Sequence, residues 1–322
     1  MTEQPPALDA SHVYICVATY RRNELLTRLL RSLSTEPIPA QNVIVVDNAP
    51  VPAAEATVKR ALPLARYLHQ PQPGIGTARN TSLDAVPTDA QAVIFLDDDE
   101  YVRPGWLAAL LDCADSSGAH VVTGPVTPEF TGEEPAWLEE YGYVRRTDRP
   151  TGPWLSATGR GGQLRYRRPA TNNTLVRAHW FTASGFRFDE RFNFSGGEDS
   201  ELFDRLLAAG ADVWWCAQAQ VVEVVPQERA TKEWLRARAV RGGRVRALKM
   251  QAKGTRGGAL AVRLAAESAV RIGYGSLRRA QKHLRRRPVT YTDDYYVCEG
   301  VGMAQALLGR GADEYARSSR RS

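Results

Sequence analysis

The 322-residue chain contains no run approaching about 18 uninterrupted apolar residues, so no membrane-crossing helix is expected. Cysteine is scarce: the four at positions 16, 113, 216 and 298 have no CxxC spacing, which argues against a zinc knuckle and against a disulfide framework. The five histidines form no ligand-like cluster. Met1 to Ala10 is polar and proline-bearing and lacks the apolar centre of a signal peptide. The expectation is therefore a cytoplasmic chain with reduced thiols, in which the sequons at Asn80, Asn172 and Asn193 carry no glycan. There is no Walker sequence, and residues 74–79 (GIGTAR) fail the dinucleotide fingerprint because Arg79 stands where its third glycine belongs. P-loop and dehydrogenase chemistry are both disfavoured. No internal repeat and no long low-complexity tract occurs.

What remains is an ordinary globular composition, 43% hydrophobic and 24% charged, long enough for one large domain or two smaller ones. Short apolar, β-branched runs at Val13–Ala18, Val43–Asp47, Ala92–Asp97 and Ala119–Thr123 read as buried strands. Between them, Leu25, Leu26, Leu29, Leu30 and Leu33 repeat at helical spacing, with Pro37 and Pro39 beyond. Pro104 sits near the start of a helix expected through Asp115, and Asp199–Ala209 reads as a helix stopped by Gly210. Alternating strands and helices predict an α/β sheet between helical layers, with ligands in the crevice beyond the strand carboxyl ends.

Past Pro226 arginine, alanine and glycine dominate. Arg229 to Arg287 holds 18 Lys and Arg against two acids, Glu233 and Glu267, a local charge of +16 that leaves −10 for the rest of a chain with net charge +6. Residues 226–322 are expected to form a basic helical region interrupted at Gly242-Gly243, Gly254 and Gly257-Gly258.

The chemistry is expected at Asp97-Asp98-Asp99-Glu100, directly after the apolar strand. In an extended chain Asp97 and Asp99 would share one face and Asp98 the other. Neighbouring carboxylates repel by about 1 kcal/mol in water and about 4 kcal/mol at an effective dielectric near 20, so a strand end that gathers them suits a hard cation such as Mg²⁺ or Mn²⁺. A solvated acidic turn is the alternative. A second group, Gly196-Gly197-Glu198-Asp199, feeds a helix start, where acids serve as caps or as a positioned base.

Taken in order, VATYRR (17–22), VVDN (45–48), GIGTARN (74–80), FLDDDE (95–100), TNNTLVR (171–177), GGEDSELFDRL (196–206) and VVEVVPQER (221–229) resemble family 2 inverting glycosyltransferases of the GT-A fold, in particular the bacterial exopolysaccharide-type members. The resemblance covers about residues 13–230. It implies a Rossmann-like, mixed and mostly parallel sheet in a catalytic domain over 12–225, followed by the basic helical region 226–322. It implies a hexosyl-type transferase that takes a nucleoside-diphosphate sugar, UDP-linked by expectation, to a hydroxyl on a lipid-linked saccharide, a glycan or a small molecule.

By the same resemblance, Thr19 and Tyr20 line the nucleotide pocket, Asp47 bonds the base, and Arg79 reaches the diphosphate region. Asp97 and Asp99 form the metal-binding DxD pair, with Asp99 the direct ligand, and Asp98 lies on the donor side. Asp199 is the catalytic base, and Glu198 shapes the acceptor side. Glu223 stands where many relatives carry a metal-side histidine, with a structural role as its alternative. Trp154, Trp214 and Trp215 offer flat faces for a sugar, Trp154 being placed on the acceptor side and Trp214 in the core. For the basic segment three partners stand open: an anionic membrane surface on the inner face of the membrane, solvent alone, or an acidic or nucleic-acid partner. Sparse aromatics among its arginines, only Trp234 and Tyr274, argue against nucleic acid.

Overall fold

A computed structural model describes residues 7–142, 149–157, 164–252, 254 and 257–309. The chain divides into two units. The first comprises the described residues of Met1–Glu129, Arg146–Asn193 and Glu198–Val224, and the second those of Phe130–Arg145, Phe194–Gly197 and Val225–Ser322.

In the first unit the apolar runs become the centre of a sheet because both of its faces are covered. The strands are β1 (Val13–Thr19), β2 (Val43–Asp47), β3 (Arg66–His69), β4 (Ala92–Asp97), β5 (Glu100–Val102), β6 (Val121–Thr123), β7 (Val126–Phe130), β8 (Gly152–Pro153), β9 (Leu155–Ala157), β10 (Leu164–Tyr166), β11 (Thr174–Arg177), β12 (Val213–Trp215) and β13 (Val221–Val225). Eight of them order as β3-β2-β1-β4-β11-β6-β12-β8, with β5-β13-β7 and β9-β10 as smaller sheets. The first four run parallel, β11 is antiparallel to both neighbours, and β12 is parallel to β6. Register sets Thr19 opposite Asp47 and Ala18 opposite Asp97, which brings three strand ends to one edge.

Strand alternation divides the core. Val13, Ile15 and Val17 of β1 join Val43, Val45, Ile94 and Leu96 against α1 (Asn23–Leu33), α2 (Glu55–Ala61) and α4 (Trp106–Ser117). Cys16, Ile44, Val46, Val93 and Phe95 face the other way, against α3 (Ile75–Asp84), α6 (His179–Thr182) and α7 (Glu198–Ala208). The α4 helix begins at Trp106, two residues past Pro104 rather than at it. Its first amides are capped from a distance: the buried Glu36 carboxylate accepts from Gly105 N (2.9 Å) and Leu107 N (2.8 Å).

The second unit holds the short α5 (Trp137–Glu140) and three long helices, α8 (Lys232–Ala252), α9 (Gly257–Leu284) and α10 (Tyr291–Leu307). The expected break at Gly242-Gly243 does not occur, because α8 runs through both. Gly243 is instead a contact point: a Cβ there would lie 2.0 Å from the Glu299 carbonyl oxygen of α10, and one at Gly302 would lie 1.9 Å from the Val240 carbonyl oxygen. Local propensity disfavours glycine in a helix, but backbone-to-backbone packing requires it here.

The same helices absorb part of the basic charge. Asp293 and Asp294 of α10 are buried; Asp293 accepts from Lys282 (2.6 Å) and Arg278 (2.7 Å), Asp294 from Arg236 (2.7 Å) and the Tyr141 hydroxyl (2.6 Å), and Arg271 pairs with Glu299. No helix among the described residues is long and apolar enough to cross a membrane.

Candidate active site

The Asp97–Glu100 segment does not continue as an extended strand. It turns at Asp98-Asp99, and the turn is closed by Asp97 N donating to Glu100 Oε2 (2.8 Å). The expected alternation of faces is therefore replaced: Asp98 and Asp99 point to the same cation, Arg22 Nη1, at 2.9 and 3.0 Å, while Asp97 turns elsewhere. Thr19, at the end of β1, donates its hydroxyl to the other oxygen of Asp98 (2.9 Å). Burial pushes the Asp98 carboxyl up to about 6 despite Arg22 and Thr19, and pushes Glu100 well above the carboxylate range with help from Asp97, Glu223 and Asp99. Glu223 stands directly opposite Glu100 in the β5–β13 pairing.

Asp47 is fully buried, and its carboxylate is occupied by its own loop. It accepts from Ala49 N (3.0 Å), Ala53 N (2.7 Å), Ala54 N (2.8 Å) and the Tyr67 hydroxyl (3.0 Å). Asn48 then ties that loop to the start of α3, accepting from Gly74 N (2.9 Å) and donating to the Gln70 and Gln72 carbonyls (both 2.8 Å). Gly74 adopts φ +146°, and a Cβ there would lie 2.3 Å from the Asn193 side chain. Asn193 in turn accepts from Thr77 N (3.0 Å) and donates to its hydroxyl (2.8 Å). This lacing fixes where α3 begins, and so where Arg79 projects one turn later.

Arg79 connects the two acidic groups. Its Nη1 lies 2.5 Å from Glu198 Oε1 and its Nη2 lies 2.9 Å from Asp97 Oδ1. Burial alone would lower the Arg79 pKa, but Glu198, Asp97 and Asp199 together raise it, so the guanidinium stays charged. Glu198 is pushed up to about 7 by burial, an effect that Arg79 only partly offsets and Asp199 reinforces. Its second oxygen, Oε2, is buried without a hydrogen-bond partner. Asp199 follows in the first turn of α7 and accepts from Ser200 N at 2.5 Å.

Two hydrogen-bonded groups thus adjoin at the strand ends, Thr19, Asp98 and Asp99 around Arg22 and Asp97 and Glu198 around Arg79, with Asp199 within electrostatic reach of Arg79. Tyr20 is partly exposed beside them in sequence. Trp154 has a different position. It is 2% exposed, stacked on Trp215 with ring centroids 4.4 Å apart, and covered by Arg149 and Arg167, so no face is open to a sugar ring. The short β8 strand pairs with β12 and draws this tryptophan into the core. Arg22 and Asn193 were not anticipated. Arg22 lies within the VATYRR segment, whose repeated arginines offered a signal; Asn193 offered none beyond its sequon.

Among the described residues no group of three or more His, Cys, Asp or Glu side chains closes around a metal position. The donors present are carboxylate oxygens, the ligand type of a hard divalent cation, and one or two of these with phosphate oxygens satisfy Mg²⁺. The residues therefore fit a cation that arrives with a diphosphate, rather than one caged by protein alone.

The mixed, mostly parallel α/β sheet flanked by helices is a GT-A-like fold. The chain belongs to glycosyl transferase family 2, whose sequence profile matches residues 14–183, and it is a glycosyltransferase. The succinoglycan biosynthesis protein ExoM of Rhizobium meliloti (strain 1021) is 35% identical over 242 residues, 73% of this chain and 74% of that protein. The crystal structure of S. aureus TarS 1–349 in complex with UDP-GlcNAc is similar with a TM-score of 0.55 at 15% identity, covering 92% of each chain. That of TarS 1–349 with UDP gives 0.53 at 15% identity, covering 92% of this chain and 91% of the other. At such identity the likeness shows the fold.

Proposed function

We propose that the enzyme moves a sugar from a nucleoside-diphosphate donor, UDP-linked, to a hydroxyl of a growing saccharide in polysaccharide synthesis, with inversion at the anomeric carbon. The observation that carries this reading is the Arg79 bridge, which holds the start of α7, and with it Asp199, beside the strand-end carboxylates. The name of the ExoM relative supports an exopolysaccharide acceptor, and the UDP-GlcNAc in the TarS title supports a UDP-linked donor.

In this scheme the donor lies across the strand ends, with its base over the loop that Asp47 builds, next to Thr19 and Tyr20. Asp99, with Asp97 in support, would hold Mg²⁺ or Mn²⁺ together with the diphosphate. Such a cation supplies Lewis-acid stabilisation of the leaving group's charge. Arg79 adds a fixed positive charge on the same side, and Asp98 keeps Arg22 and Thr19 in place. The Asp199 carboxylate takes the proton from the acceptor hydroxyl. The acceptor oxygen bonds to the anomeric carbon from the face opposite the diphosphate, and the bond to the diphosphate oxygen breaks with its electron pair. Glu198, whose carboxyl burial pushes up to about 7, borders the acceptor side with its second oxygen, Oε2, which has no hydrogen-bond partner.

A panel of nucleotide sugars, each with Mn²⁺, tests this by thermal stabilisation and by release of nucleoside diphosphate. A ligand at 100 times its dissociation constant adds about 2.7 kcal/mol. UDP-sugars should stabilise the protein and release UDP. Stabilisation by no nucleotide sugar at all would overturn the reading.

A further inference from the structure

The α9 helix (Gly257–Leu284) has an unusual pair of faces. Its inner line, Leu264, Ser268 and Gly275, packs on α10: the Ser268 hydroxyl donates to the Gly300 carbonyl (2.8 Å), and a Cβ at Gly275 would lie 2.7 Å from Val297. A soluble helix should place charge on the opposite side. Here that side is apolar for its whole length. At about 100° per residue, Val262, Ala266, Val270, Gly273, Leu277 and Leu284 fall within one arc of roughly 100°, and the other positions of that arc are alanines. Val262 is 70% exposed, Val270 69%, Leu277 58% and Leu284 85%. From Val262 to Leu284 the stripe runs about 33 Å at about 1.5 Å per residue. Beside it a groove of about 350 Å³ opens between Val270 and Tyr274 of α9 and Tyr296 of α10.

Basic residues stand at the two ends of the stripe. Arg263 borders it near its start, and Arg285, Arg286 and Arg287 follow Leu284, all three exposed and with no carboxylate partner among the described residues. The only acid in α9, Glu267, is already paired with Arg246 and Arg263. We infer that this face of α9 docks on an anionic lipid bilayer, with the helix lying in the interface and its aliphatic side chains inserted among the acyl chains. An apolar stripe with arginines at its ends is what an interfacial helix presents, and no helix among the described residues is apolar enough to span. A second copy of the chain in register would set the Arg285–Arg287 cluster against its own equivalent, whereas acidic headgroups complement that cluster directly.

Vesicle flotation of the full chain decides the matter, comparing phosphatidylglycerol-containing with pure phosphatidylcholine vesicles. The chain should float with the anionic vesicles at low salt and largely not with the neutral ones. Leu277→Ser with Leu284→Ser, and separately Arg285→Gln with Arg286→Gln and Arg287→Gln, should each lower the bound fraction by about fivefold or more. All these positions are exposed, so the melting temperature and the donor-hydrolysis rate in solution should not change, which separates failure here from failure of the catalytic reading. No flotation with anionic vesicles at low salt, equal flotation with neutral vesicles, or a concentration-dependent dimer that the leucine variants dissolve, would each overturn the inference.

Discussion

Arg79 and Glu198 form a buried ion pair, Nη1 to Oε1 at 2.5 Å, although 119 positions separate them in the chain. The second arm of the guanidinium holds Asp97. One cation therefore sets the spacing between the strand-end acids and the first turn of α7. Removing it leaves the buried Glu198 carboxylate uncompensated. Arg79→Met should cost about 3–5 kcal/mol of stability, the range for breaking a buried pair. Adding Glu198→Leu should recover part of that loss. Denaturant titration of the two variants measures both, and no recovery in the double variant would mean that Arg79 acts through other contacts.

Glu198 also carries a pH signature. Its ordinary value is 4.5 and burial raises it to about 7, so between these values the folded chain keeps a proton that the unfolded chain has lost. Stability from this group is therefore present below the ordinary carboxylate range and falls as the pH rises toward 7 and beyond. Glu198→Gln, which keeps the shape and cannot ionise, should flatten the fall in melting temperature between about pH 4.5 and 7. An unchanged slope would place the titration on Asp98 or Glu100, which burial also raises.

Two adjacent glycines in α8 should respond in opposite ways. A Cβ at Gly242 meets nothing within 4 Å, so Gly242→Ala should stabilise by up to about 1 kcal/mol through helix propensity. At Gly243 a Cβ would lie 2.0 Å from the Glu299 carbonyl, and Gly243→Ala should destabilise by about 1–3 kcal/mol or more, because α10 must move. Thermal melts of the two variants would show the contrast. Equal effects would mean that α8 and α10 are not in close contact.

Much of this was legible in the sequence, and the reason lies in range. The runs ending at Asp47 and Asp97 are buried on both faces, so composition alone marks them as strands and fixes their ends. The start of α7 was legible from its glycines and acids. Partners chosen across the fold were not: Arg22 meets Asp98 from 76 positions away, and Asn193 meets Thr77 from 116. Gly243 reads as a helix break because propensity is local, and only the neighbouring helix shows why it is glycine. Trp154 reads as a flat face for an acceptor sugar, yet the two-residue strand before it pairs with β12 and the ring stacks on Trp215.

The proposed cation dependence rests on the carboxylate donors at the strand ends. Asp99→Ala, or excess EDTA on the unmodified enzyme, should lower transfer by at least about 100-fold, and Mn²⁺ or Mg²⁺ should restore only the EDTA-treated enzyme. Initial rates at saturating donor measure this. Full transfer in EDTA would remove the metal from the account.

The central claim is that Asp199 accepts the acceptor's proton, and Asp199→Asn tests it most directly, because the change preserves shape and removes only basicity. Donor affinity is measured by calorimetry and turnover at saturating donor and acceptor. The account predicts a dissociation constant within about twofold of the unmodified enzyme and a turnover lower by about 100-fold or more. Weakened donor binding with turnover preserved at saturation would make Asp199 a helix cap and contradict the mechanism.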